Sequence, residues 1–273
     1  MPLLSSSLYN TWYEDDCFCD PWTEPETVLI QHGFGRNAQF WHHWVPKLAG
    51  QYRVIRRDLR GHGESGDGGD APWTFDGLVE DLSQFIATLE LGKVHLIGES
   101  TGGMLSTGLA HRHPEQLRSL TLCSSPTTIS PAGQRYFAAG HKDWRTALTT
   151  MGSEGWARWL LGQPGTASMV GPDQSEWWVQ QFSQAPATAL ANYSDVISNT
   201  DTASLLPELT VPALVLAPTR SAATTLPDQL SIASAIPGAQ IMSIDGSGHE
   251  IYVDKAEDTV RAFLSFTNGL VPR

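Results

Sequence analysis

One short turn constrains this chain more than any other stretch: Ile97-Gly98-Glu99-Ser100-Thr101-Gly102-Gly103. An apolar, β-favouring run at residues 93–97 leads into it, and residues 104–110, which read as a buried helix, lead out. Strand, sharp turn, then helix is the setting in which Gly-x-Ser-x-Gly carries chemical meaning. A serine at the tip of such a turn sits in strained backbone geometry, and only side-chain-free neighbours at Gly98 and Gly102 let strand and helix close up around it. Ser100 is then expected to point into a cleft at the carboxyl ends of the strands, above a helix N-terminus that favours negative charge. An ordinary glycine-rich turn between strand and helix would contain the same five residues, so the rest of the chain must decide.

The flanking sequence repeats the same alternation. Strand-like runs at 26–31, 52–58, 93–97 and 117–123 are separated by stretches with helical spacing, such as Leu78, Leu82, Phe85, Ile86 and Leu89 before Gly92. Residues 40–50 are expected to form one helix, and residues 8–20 an edge strand or hairpin. Alternating strands and helices imply an α/β chain with a mostly parallel sheet covered on both faces. The alternation stops after Pro126. Residues 129–204 hold no strand-like run but carry Trp144, Trp156, Trp159, Trp177, Trp178 and Phe182 between Gly/Pro loops. The β pattern resumes at 211–217 and 239–244, with helices near 228–236 and 255–266. An insertion flanked by strand–helix units that resume afterwards is expected to be a helical cap over the cleft. The division is therefore a core of 1–128 and 205–268 with a cap of 129–204. Leu270-Val271-Pro272-Arg273 matches the first half of a thrombin site and reads as a cloning remnant.

Composition excludes several classes. A chain of 273 residues with net charge −12 and 17 Lys+Arg lacks the clustered cations that phosphate backbones need. The basic residues between Arg53 and Arg60 alternate with apolar ones and read as strand flanks, while Asp58 and Arg60 are expected to tie the following loop to each other. No run of 18 apolar residues suits a membrane span, and no secretory leader is legible, so a cytoplasmic protein acting on a small molecule, as monomer or homodimer, is expected. Three cysteines are too few for a disulfide framework, and Cys17-Phe18-Cys19 lacks metal-site spacing, so no metal or cofactor is expected.

Two further segments carry chemistry. His32-Gly33-Phe34-Gly35 follows a strand and can present backbone N–H groups to an anion. Gly248-His249 follows the last strand, where a loop histidine can reach Ser100 as general base. Taken with residues 58–65 and 98–103, these segments resemble the α/β-hydrolase fold, and within it the branch of enol-lactone hydrolases, small esterases and meta-cleavage-product hydrolases. The resemblance covers roughly residues 26–126 and 205–266. It implies Ser100 as nucleophile, His249 as base, and the Phe34 and Thr101 amides as oxyanion donors. It also implies that Gly33 and the cap tryptophans Trp144, Trp156, Trp159, Trp177 and Trp178 shape a substrate pocket.

One element departs from that pattern. The family's usual aspartate after the strand preceding the histidine strand is replaced by Ala217-Pro218-Thr219-Arg220-Ser221, and the other known position by Cys123-Ser124-Ser125-Pro126. Ser221, Asp228 and Glu250 stay open as the group that orients His249. The resulting expectation is a cofactor-free serine hydrolase of an ester or lactone of a hydrophobic or aromatic molecule. A C–C bond hydrolase or cofactor-independent oxygenase on the same scaffold, or a ligand receptor derived from one, stands beside it. Epoxide and halide chemistry is disfavoured, because it needs a carboxylate at position 100.

Overall fold

The computed structural model describes residues 3–5, 10–67, 69, 71–167 and 171–270. Residues 271–273 of the expected cloning remnant lie outside the described residues. Eight strands form one sheet: β1 (Leu3–Ser5), β2 (Asn10–Asp16), β3 (Thr27–Gln31), β4 (Arg53–Arg57), β5 (Val94–Glu99), β6 (Leu117–Cys123), β7 (Ala213–Pro218) and β8 (Gln240–Ile244). Their order is β1-β2-β4-β3-β5-β6-β7-β8. The β1–β2 and β2–β4 pairs are antiparallel and every later pair is parallel. Every residue of β3, β5 and β7 is buried, as expected where helices cover both faces of a parallel sheet.

The helices are α1 (Val45–Leu48), α2 (Phe75–Thr88), α3 (Thr101–Arg112), α4 (Pro131–Phe137), α5 (Trp144–Leu161), α6 (Pro172–Phe182), α7 (Ala187–Ser198), α8 (Leu226–Ala235), α9 (Ile251–Asp254) and α10 (Ala256–Asn268). The single helix expected over 40–50 is split into a 3₁₀ turn at Ala38–Trp41 and the short α1. Pro46 explains the break: without an N–H it is tolerated only in the first turn of a helix. Helix α2 keeps the expected apolar stripe, with Leu78, Leu82, Phe85 and Ile86 buried and the Thr74 hydroxyl accepting from the Gly77 amide at its start.

Strand register places the site. Gln31 pairs with Gly98, so the turn after β3 lies beside the turn after β5. Glu99 pairs with Cys123, and Pro218 with Ile244, which brings the loops after β7 and β8 together at the same edge. Because the chain runs outward from β3 in both directions, this edge is a topological switch point, where α/β sheets open a crevice. Helices α4–α7 are inserted between β6 and β7 and reach back to that edge. The Tyr193 hydroxyl donates to Thr101 Oγ1 at 3.0 Å, and Asn37 Nδ2 donates to Gln181 Oε1 at 3.0 Å. Phe34 sits among rings from this insertion, 4.5 Å from Trp144, 5.5 Å from Trp156 and 6.0 Å from Tyr193 between centroids.

The expected Asp58–Arg60 tie is not made. Arg60 reaches across to Asp81 at 2.7 Å, while Asp58 accepts from the Ala38 and Glu64 amides at 2.8 Å each. Asp58 thus fixes two backbone segments, and burial pushes its pKa up to about 7.

Candidate active site

Ser100 lies between β5 and α3 with φ +50° and ψ −125°, a conformation that a side-chain-bearing residue adopts only under constraint. Its amide donates to the Cys123 carbonyl at 2.9 Å, and the Ser125 hydroxyl donates to its carbonyl at 3.0 Å. The flanking glycines are sterically required. A Cβ at Gly98 would stand 2.7 Å from the Gly103 Cα, and one at Gly102 would stand 2.3 Å from the His32 carbonyl oxygen. The turn therefore closes only because positions 98 and 102 carry no side chain.

Ser100 opens onto a cavity of about 790 Å³ that Phe34, Thr101 and His249 also line. Among the described residues the amides of Phe34 and Thr101 make no hydrogen bond within the protein. The loop that presents Phe34 is braced on both sides. His32 Nδ1 donates to the Gly33 carbonyl at 2.8 Å while its Nε2 accepts from the Leu59 amide at 2.9 Å. Burial lowers the His32 pKa well below the usual range, so the ring stays neutral and holds that tautomer. Arg36 Nη1 donates to the Phe34 carbonyl at 3.1 Å.

His249 is buried on the loop after β8, its carbonyl held by the Ser124 hydroxyl at 2.8 Å. Its Nδ1 meets two hydroxyls, Ser221 Oγ at 3.0 Å and Thr224 Oγ1 at 3.4 Å. Its Nε2 lies 3.6 Å from Glu99 Oε1. Serine, base and two unbonded amides around one cavity form an arrangement suited to acyl transfer.

A family model for the alpha/beta hydrolase fold matches residues 26–150. The enol-lactonase from Burkholderia xenovorans LB400 superposes with a TM-score of 0.86 at 24% identity, over 98% of this chain and 100% of that one. This chain is an α/β-hydrolase-fold protein. Among curated relatives, the pimeloyl-[acyl-carrier protein] methyl ester esterase of Aeromonas hydrophila is 41% identical, but over only 37% of this chain and 39% of that one. The 3-oxoadipate enol-lactonase 1 of Acinetobacter baylyi is 23% identical over 89% of each chain.

Within this α/β-hydrolase fold the three candidates for the orienting group part company. Ser221 faces His249. Its Oγ also accepts from the Thr224 and Ala223 amides at 3.0 and 3.2 Å, which occupies both lone pairs and leaves its O–H to donate to Nδ1. Asp228 lines the cavity but closes a capping box at the start of α8, accepting from the Thr225 amide and hydroxyl at 3.0 and 2.6 Å. Glu250 turns away from its neighbour His249. Its buried carboxylate accepts from Arg36 Nε at 2.7 Å and Trp178 Nε1 at 2.9 Å.

Of the expected pocket residues, Trp144 and Trp156 line the cavity. Gly33, Trp159, Trp177 and Trp178 do not. Gly33 is taken up by Glu99, to whose Oε2 its amide donates at 2.7 Å. Trp178 is committed to Glu250 and to Arg36, whose guanidinium lies 4.5 Å from its ring. Trp177 packs on Phe40, and Trp159 on Tyr136 and Trp156. Thr224 and Glu99 were not singled out from sequence. The signal for Glu99 is a carboxylate ending a strand that is buried throughout. Among the described residues no group of three or more His, Cys, Asp or Glu is placed to hold a metal ion.

The Arg36–Glu250 pair links the Phe34 loop, the His249 loop and α6. Glu250→Ala leaves a guanidinium only 6% exposed without its carboxylate and is expected to lower stability by about 3–5 kcal/mol. Urea denaturation of the variant against wild type measures this. A shift below about 1 kcal/mol would mean that water reaches Arg36 and compensates it.

Proposed function

We propose that this chain is a cofactor-free serine hydrolase that cleaves an ester or lactone of a hydrophobic or aromatic small molecule. The observation that carries the reading is the strained Ser100, which shares one cavity with His249 and two unbonded backbone amides. In this mechanism Ser100 Oγ attacks the carbonyl carbon as its proton passes to His249 Nε2. The carbonyl π pair moves onto oxygen, where the Phe34 and Thr101 amides stabilise it. Collapse expels the alkoxide or enolate, which takes the proton from His249. Water, deprotonated by the same ring, then releases the acid and restores Ser100. In a lactone the leaving oxygen stays on the acyl chain, so a single product departs.

Helices α4–α7 serve as the cap. Tyr136, Phe137, Trp144 and Trp156 give the cavity an aromatic wall together with Phe34, which supports an apolar or aromatic acyl or alcohol part. A second reading is favoured by one observation, the two hydroxyls on His249 Nδ1 where a carboxylate would serve acyl transfer. In that reading the ring acts as base in C–C cleavage or cofactor-independent oxygenation, and Ser100 only orients the substrate.

The test combines proton release across a panel of lactones, aryl esters and amides with labelling by an aryl phosphonate. Hydrolysis of at least one ester or lactone, with the phosphonate mass found on the peptide bearing Ser100, is the expected result. No turnover of any member together with an unlabelled Ser100 would overturn the acyl-enzyme reading.

A further inference from the structure

The geometry points to Glu99 as the carboxylate that serves His249, acting from the Nε2 side of the ring and not from the Nδ1 side. The inference rests on the hydrolytic reading of Ser100 and His249. Glu99 ends β5 directly before Ser100, and its side chain is 1% exposed. A carboxylate buried to that degree is costly unless it is paired. One oxygen is fixed, since Oε2 accepts from the Gly33 amide at 2.7 Å. That contact needs glycine at position 33, because a Cβ there would stand 2.7 Å from the Glu99 carbonyl oxygen. The other oxygen, Oε1, faces His249 Nε2 at 3.6 Å.

The two ends of the imidazole therefore see opposite surroundings. Ser221 and Thr224 offer Nδ1 hydroxyls without charge, and Glu99 offers Nε2 a negative charge. At rest both sides favour the tautomer that carries its proton on Nε2: the Ser221 hydroxyl donates to Nδ1, and the Glu99 carboxylate, 3.6 Å from Nε2, draws the positive end of the ring to that side. That form cannot take the Ser100 proton. The reactive tautomer arises when Nε2 gives its proton to water and Nδ1 takes one from water; the Ser221 hydroxyl then turns to Thr224 Oγ1, 3.3 Å away, and Nδ1 donates to that same oxygen, 3.4 Å away. When the Ser100 Oγ–H bond then breaks, its proton moves to Nε2 and the ring becomes an imidazolium. Glu99 is the negative charge that stabilises this cation, the task an aspartate on Nδ1 performs in a conventional triad. Glu99 does not line the cavity, so it acts through His249 as a positioning residue and does not touch substrate.

The substitution Glu99→Gln keeps size and retains an oxygen for the Gly33 amide, and Glu99→Asp keeps charge. The experiment records long-range ¹H–¹⁵N correlations of the histidine rings in wild type and both variants. The His249 signals are assigned by their loss in His249→Gln, and kcat and KM are measured on a hydrolysed panel member. In wild type, His249 is expected to carry its proton on Nε2. In Glu99→Gln the share protonated on Nδ1 rises, but the imidazolium loses its counter-charge, and this larger effect lowers kcat about 10- to 100-fold at little-changed KM; Glu99→Asp recovers part of both shifts. Unchanged His249 ring signals in Glu99→Gln overturn the inference whatever kcat does, because a drop in kcat alone would reflect support of the Gly33 loop. The ring signals need no substrate, so they judge Glu99 even if the panel overturns the hydrolytic reading.

Discussion

Ser221→Asp is expected to raise kcat on the preferred ester or lactone by about 10²- to 10⁴-fold, the upper bound being the loss recorded when a triad's acid is neutralised. The substitution puts a carboxylate where a hydroxyl now stands 3.0 Å from His249 Nδ1. Two amides already converge on that oxygen, from Thr224 and Ala223, and both favour an ionised acceptor. A carboxylate cannot donate, so Nδ1 is held protonated, and the ring that has given up the proton Glu99 favours on Nε2 offers that lone pair to Ser100. The charge also stabilises the imidazolium of each transition state, which the neutral hydroxyl cannot do. Initial rates and a thermal melt of wild type and variant decide the matter. An unchanged or lower kcat in a variant that melts with wild type would mean that the orientation of His249 does not limit turnover.

That expectation draws on geometry the sequence could not supply. The alternation of strands and helices was legible because buried parallel strands are apolar throughout while helices are punctuated by caps and glycines. Ser100 was legible for a related reason: Gly98 and Gly102 are required by contacts under 3 Å, and such contacts leave only glycine at fixed spacing. Ser221 was legible as one of three candidates for the partner of Nδ1, but the choice among Ser221, Asp228 and Glu250 was not, because it depends on the β7–β8 register and on two loop conformations that meet after both strands end. Position 250 misled for a simple geometric reason. Adjacent side chains on a turn diverge, so Glu250 points to Arg36 while His249 points to Ser221.

The tryptophans illustrate the same limit. Trp177 and Trp178 are neighbours on α6, and neither reaches the cavity: Trp177 packs on Phe40. Trp178 points inward, but to the Arg36–Glu250 pair and not to the cavity. Trp144 and Trp156 reach the cavity although α5 is broken at Gly152, where φ is +71°. No uniform helical period connects them, so spacing alone could not distinguish cavity wall from packing. Glu99 stood in plain view inside the serine motif. Its meaning depends on Gly33 and His249, which lie far away in the chain and are brought together by the pairing of β3 with β5 and by the loop after β8.

Ser100→Ala is expected to reduce turnover of every hydrolysed panel member by at least about 10³-fold, with KM little changed, in wild type and in the Ser221→Asp background alike. The residual rate would come from the Phe34 and Thr101 amides and from substrate binding, which the substitution leaves in place. Alanine occupies the same positive-φ position with the same Cβ, so the turn carries no added steric demand and a thermal melt close to wild type is expected. Using both backgrounds separates the two readings of the site. Where Ser100 is the nucleophile, its removal erases the gain from Ser221→Asp, because a better-oriented ring has no serine proton to take. Where His249 acts directly on substrate, Ser100→Ala keeps a large part of wild-type turnover. In that second case Ser221→Asp would also change a reaction that needs no acyl-enzyme, and the hydroxyls on Nδ1 would be the setting of a base and not a weakened triad.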